Sequence, residues 1–77
     1  MTGVPKGYIA VTAEVRDAAN RVCSMLGIKS AAFLGGIARA TLKHVRDGKQ
    51  SNAHPSFIAA VLRLDAAIAD LLAQRVA

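Results

Sequence analysis

The chain has 77 residues, is 53% hydrophobic, and carries ten Lys and Arg against five Asp and Glu, for a net charge of +5. A chain this short makes one small domain, near the size at which a single core is only marginally sufficient. One cysteine, Cys23, excludes an internal disulfide, and no Cys/His spacing suits a structural zinc, so self-association is the expected extra source of stability.

Residues 1–11 read as an arm. Gly3, Pro5 and Gly7 interrupt any helix, while the β-branched and aromatic "YIAVT" reads as extended. The arm packs on the body, pairs with its copy in a dimer, or stays loose; the residues leave these alternatives open. It lacks the apolar core of a secretory signal, and no apolar run approaches the roughly 20 residues that span a bilayer. These features, with an unpaired thiol, imply a soluble cytoplasmic protein with no membrane partner.

Residues 12–77 form the domain. Thr12 is positioned as an N-cap with Glu14 in the first turn, and Val15, Ala18, Ala19, Val22 and Leu26 recur at helical spacing. Gly27 closes this helix in the left-handed conformation. Ser30 caps a short second helix through Ala31, Ala32, Phe33 and Leu34, which Gly35-Gly36 stops. A third helix runs from about Ala38 to Arg46 and ends at Asp47-Gly48. "KQSNAH" is a loop, and Pro55 suits the first position of the next helix. From there to Val76, Phe57, Val61, Leu64, Ile68 and Leu71 follow a 4-3-4-3 spacing, with Ile58, Leu62, Leu72 and Val76 beside them. So broad an apolar face can cover the domain's own core and still meet a second subunit. Asp65 either lies within one long helix or caps a second one. The fold class is all-α: a compact domain of four to five helices with a long amphipathic C-terminal helix.

Charge is unevenly placed. Residues 28–51 carry Lys29, Arg39, Lys43, Arg46 and Lys49 against Asp47, which is +4, while residues 1–27 sum to +1 and residues 52–77 to zero. Concentrated basicity is the electrostatic footprint of a polyanion partner. The same segment satisfies the steric pattern of a helix-turn-helix: small Ala32 where the helices cross, Gly36 four later, apolar Ile37 directly after, then Leu42 and Val45 facing inward. At about 100° per residue, Arg39, Lys43 and Arg46 fall within an arc of about 60°. Ala38, Leu42 and Val45 form an adjacent apolar arc, and Ala40 and His44 lie on the other side of the basic stripe. A helix apolar on one side and basic on the other suits the major groove.

In "AFLGGI" and "IARATLKHVRDGK" the chain resembles the helix-turn-helix of Cro-like (xenobiotic response element) repressors of bacteria and phages. The likeness covers about 20 residues closely and, through the order of flanking helices, residues 13–75 loosely. It departs at Gly35, where the family has a bulkier apolar residue, at Ala38, where it has Ser or Thr, and at Ile28, where many members have glutamine. The resemblance implies base reading by Arg39, Ala40, Lys43 and His44, with Arg39 set for a bidentate contact to guanine and Ala40 for a thymine methyl. Lys29, Ser30, Arg46 and Lys49 would hold phosphates. The implied partner is double-stranded DNA with a pseudo-palindromic operator, bound by a homodimer that joins through Phe57, Val61, Leu64, Ile68, Leu71 and Leu72. A regulatory protein partner is a further possibility for a chain without a ligand domain.

Enzyme chemistry is not expected. Cys23 falls among the inward positions of the first helix, His44 and His54 have no ligand cluster beside them, and Asp65 and Asp70 are five apart on a helix. No cofactor or metal is implied. Because fold does not dictate function, two alternatives stand beside DNA binding. One is a protein-interaction module on the same scaffold (antiactivator, antitoxin or adaptor); the other is a recombination accessory protein.

Overall fold

The computed structural model describes residues 7–76, which are mostly helical. Helix α1 spans Ala13–Leu26, α2 Ile28–Gly35, α3 Arg39–Arg46 and α4 Pro55–Val76. Two short strands, β1 (Ile9–Ala10) and β2 (Asn52–Ala53), pair antiparallel with Ile9 opposite Ala53. Of the expected arm, residues 1–6 lie outside the described residues. The rest packs on the body through this pairing and a bond from Val11 N–H to the Ser51 carbonyl at 2.8 Å.

Helix α1 begins where Thr12 Oγ1 accepts a bond from Val15 N–H at 3.3 Å, satisfying one orphan donor of the first turn. It ends at Gly27, whose φ of 82° only glycine takes without strain. Its ψ of 147° is extended, so Gly27 is not the left-handed cap expected; it turns the chain straight into α2. Ser30 accordingly lies inside α2 and caps nothing, and α2 starts at Ile28 with no side-chain cap. Gly36 does adopt the left-handed conformation (φ 64°, ψ 35°) and gives its N–H back to the last carbonyls of α2. Ile37 and Ala38 then carry the chain into α3, one residue later than its spacing indicated. Among the described residues there are four helices, with α4 passing through Asp65 unbroken. His54 prepares the start of α4: its Nδ1 accepts from Ser56 N–H at 3.1 Å, and Pro55 opens the first turn.

The core is built from Val15, Ala18, Ala19 and Val22 of α1, Ala31 and Ala32 of α2, Leu42 and Val45 of α3, and Phe57, Ile58 and Val61 of α4. Six of the fifteen buried hydrophobic residues among those described are alanine, and the largest fully enclosed side chains are Leu42, Val22, Val45 and Val61. Helix α1 packs chiefly on α4 and also meets α2 and α3. On its surface Arg21 grips Asp65 through a two-pronged pair, Nε to Oδ1 at 2.9 Å and Nη2 to Oδ2 at 2.8 Å. Asp65 therefore tethers α4 to α1 and does not divide the helix. Past Ile68, residues 69–75 are all exposed, so the last two turns of α4 extend beyond α1.

The hydrogen bond from Arg21 holds the Asp65 carboxyl below the usual range; burial opposes it, and the charge of Arg21 adds to it. A depressed carboxylate stabilises the fold above its unfolded pKa, and that contribution disappears as pH falls through the folded value. Asp65→Asn should lower the thermal midpoint slightly at pH 7 and flatten its dependence on pH below about 4; melts monitored by circular dichroism across this range check both. Leu42→Ala should cost about 2–5 kcal/mol in urea unfolding, because a fully enclosed side chain leaves a cavity that small neighbours fill poorly.

Candidate nucleic-acid interface

Helix α3 is oriented by the two side chains it buries. Leu42 and Val45 are both 0% exposed, and being three apart they present one face of α3 to α1 and α2. Arg39, Ala40, Lys43 and His44, at positions i, i+1, i+4 and i+5, consequently occupy the opposite face, and all four are exposed. These are the residues expected to read bases, and the fold brings all four together.

The flanking cations are less uniform. Lys29 and Ser30 are exposed on α2 and Lys49 is exposed just after α3. Arg46 departs from the stripe in which its spacing placed it: it is half-buried, and its Nε donates to Asp47 Oδ1 at 3.0 Å. That bond, reinforced by the charges of Arg46, Lys49 and Lys43, holds the Asp47 carboxyl below its ordinary value. The outward basic face is thus Arg39 and Lys43, with Lys49 beside them and Arg46 partly neutralised at its edge. Arg46 also approaches Cys23. Burial pushes that thiol up, and the guanidinium pulls the other way without overcoming it.

The turn after α3 is tight. Lys49 N–H returns to the His44 carbonyl at 2.8 Å, with Gly48 at a φ of 77°. Arg16 of α1, assigned no role by the sequence, lies against this turn: its Nε is buried without a hydrogen-bond partner and would sit 3.7 Å from a Cβ at position 48. No local pattern marks Arg16, because the contact joins residues 32 positions apart. At the other end of α3, a cavity of about 200 Å³ lies among Tyr8, Gly36, Ala38, Thr41, Gln50 and His54. Tyr8 meets the His54 ring edge-on with centroids 6.1 Å apart. Ala38 gives α3 no side-chain cap.

The residues expected to join two subunits separate into two groups. Phe57 and Val61 are buried in their own core, at 6% and 0% exposure, and are not available to a partner. Leu64 and Ile68 are half-buried against that core, and only Leu71 and Leu72 stand out, on the overhanging turns. The 4-3-4-3 row is therefore mainly the inner face of α4. Among the described residues no cluster of His, Cys, Asp or Glu is placed to hold a metal ion, and no helix is long and apolar enough to cross a membrane. Compared with known protein families, curated proteins and solved structures, the chain matches none.

Buried Cys23 should react with a thiol reagent only as fast as the domain opens. Ellman's reagent should therefore label it slowly in buffer and at once in urea.

Proposed function

We propose that the chain is a sequence-specific DNA-binding transcriptional regulator of the Cro-like helix-turn-helix kind. It works in the cytoplasm as a homodimer on a pseudo-palindromic operator. The observation that carries this reading is the outward face of α3, where Arg39, Ala40, Lys43 and His44 stand exposed together, directly after the left-handed Gly36 and with nothing of the C-terminal overhang packed across them. In this reading α3 enters the major groove. Arg39 donates two bonds to a guanine, Lys43 reaches a second base, and Ala40 meets a thymine methyl. Lys29, Ser30 and Lys49 hold phosphates on either side and set the angle of entry without reading sequence, with Arg46 a weaker contributor because Asp47 competes for it.

A second reading has its own observation. Phe33 is 84% exposed and Leu34 60% exposed on the outer side of α2, and an aromatic ring so open on a small domain is a feature of protein-contact surfaces. A protein-interaction module, such as an antiactivator, antitoxin or adaptor, uses that side of the molecule, and a recombination accessory protein uses both it and α3.

The test begins with selection of bound duplexes from a random pool, followed by mobility-shift titration of the selected site. Arg39→Ala should cost about 1–3 kcal/mol of discrimination at one base pair and leave the melting temperature unchanged. Lys49→Ala should weaken all duplexes alike and reduce the slope of log affinity against log salt by about 1. Absence of any shift at low salt, together with purification of a stoichiometric protein complex, would replace this reading with the second one.

A further inference from the structure

Helix α4 is apolar on two opposite sides, and its own core covers only one. The inner side carries Phe57, Val61, Leu64 and Ile68. The outer side carries Ala59, Leu62, Ala66, Ala69 and Ala73, spaced 3-4-3-4, and every one of them is exposed. Leu62 is 38% exposed, and along the same edge Leu72 is 44% and Met25 of α1 54% exposed. No charge interrupts this outer row. A helix apolar all round is ordinarily enclosed all round.

The charges beside the row indicate what encloses it. Arg63 and Asp70 lie seven residues apart and hence on one flank of α4. Both are exposed, opposite in sign, and neither forms an ion pair among the described residues. Seven-residue spacing on one flank is the arrangement that two antiparallel helices related by a two-fold axis can satisfy reciprocally: the acid of each meets the base of the other. Residues 52–77 sum to zero charge on a chain of +5, so two copies meet here with far less repulsion than across the +4 segment, residues 28–51.

We propose that the outer face of α4 docks against α4 of a second copy of this chain, antiparallel, with Arg63 of each copy on Asp70 of the other. In this register Ala66 lies beside Ala69 of the partner subunit, and Leu72, on the opposite flank, faces the partner subunit's Asp65. That flank borders an apolar groove of about 510 Å³ lined by Arg21, Met25, Asp65, Ile68, Ala69 and Leu72 itself. The inference deepens the proposed function, which calls for a second copy, but the surface itself is read without reference to DNA.

Sedimentation equilibrium of the full chain, with no DNA present, tests it. The wild type should show a monomer–dimer equilibrium. Arg63→Asp and Asp70→Arg should each weaken the dimer about tenfold or more by setting like charges together twice. The double variant should return to within about threefold of the wild type. Leu72→Asp should also weaken the dimer, whereas Leu71→Asp, on the far side of α4, should not. All of these side chains are exposed, and circular dichroism confirms that each variant folds. A strictly monomeric wild type, reversals without effect, or failure of the double variant to recover would each overturn the proposal, as would a dimer sensitive to Leu71 alone. Because the sample contains no nucleic acid, such a failure is separable from failure of the DNA reading, which half-site binding by a single copy reports independently.

Discussion

Burial of Leu42 and Val45 governs the rest of the molecule. Helix α3 has only eight residues, too few to be stable alone, and it is held by these two side chains inserted among Val15, Ala19 and Val22 of α1 and Ala31 of α2. Two anchors three residues apart remove rotation about the helix axis. Once that rotation is set, the position of every other α3 side chain follows, including the exposure of Arg39, Ala40, Lys43 and His44. Gly36 makes this possible from the other direction: its left-handed backbone turns the chain sharply enough for α3 to return onto α1 while α2 remains packed on α4. The functional face is a consequence of core packing on the reverse side of the same short helix.

The alanine-rich core sets a second consequence. With Ala18, Ala19, Ala31 and Ala32 at the crossings, the helices lie close but each crossing buries little apolar surface. Helix α4 supplies the missing bulk with Phe57, Ile58 and Val61, which is why these cannot also serve a partner. Only the outer face and the two overhanging turns remain, and they are richer in apolar residues than solvent contact requires. A core thin in large side chains and a surface rich in apolar ones are what the proposed association of two copies would complement.

Local signals were legible wherever a single residue decides the backbone. Thr12 caps α1, Gly36 turns left-handed, Gly48 follows α3, and Pro55 opens α4, each where its side chain or its absence of one dictates. The exposed face of α3 was also legible, because periodicity separates Leu42 and Val45 from their neighbours without knowledge of the fold. What was not legible joins distant segments. The Arg21–Asp65 pair spans 44 positions and occupies the carboxylate that could have capped a new helix, and nothing near Asp65 announces it. Ser30 resembled a cap because it is a good one, but Gly27 had already started α2 three residues earlier. Arg46 sits correctly on the wheel for the basic stripe, yet its neighbour Asp47 draws the guanidinium aside, an effect that helical angle does not contain. For α4, the two apolar rows gave no sign of which faced inward; α1 and α2 settled that in favour of Phe57 and Val61.

Electrostatics then separates the molecule into two surfaces of different character. The +4 segment, residues 28–51, folds into α2, α3 and the turn after them, and α3 packs on α1 and α2 with no substantial contact to α4. Helix α4 belongs to a segment of zero net charge, with its two arginines matched by two aspartates. One of those aspartates is satisfied within the chain by Arg21, which leaves Arg63 and Arg75 with a single acid, Asp70. In the proposed reading a polyanion is drawn to the first surface, while a second copy, repelled there, meets a surface of nearly balanced charge at the second. Because α3 itself makes no substantial contact with α4, occupancy of one need not obstruct the other. In the proposed reading the chain holds a nucleic acid on one surface and its own copy on the other at once.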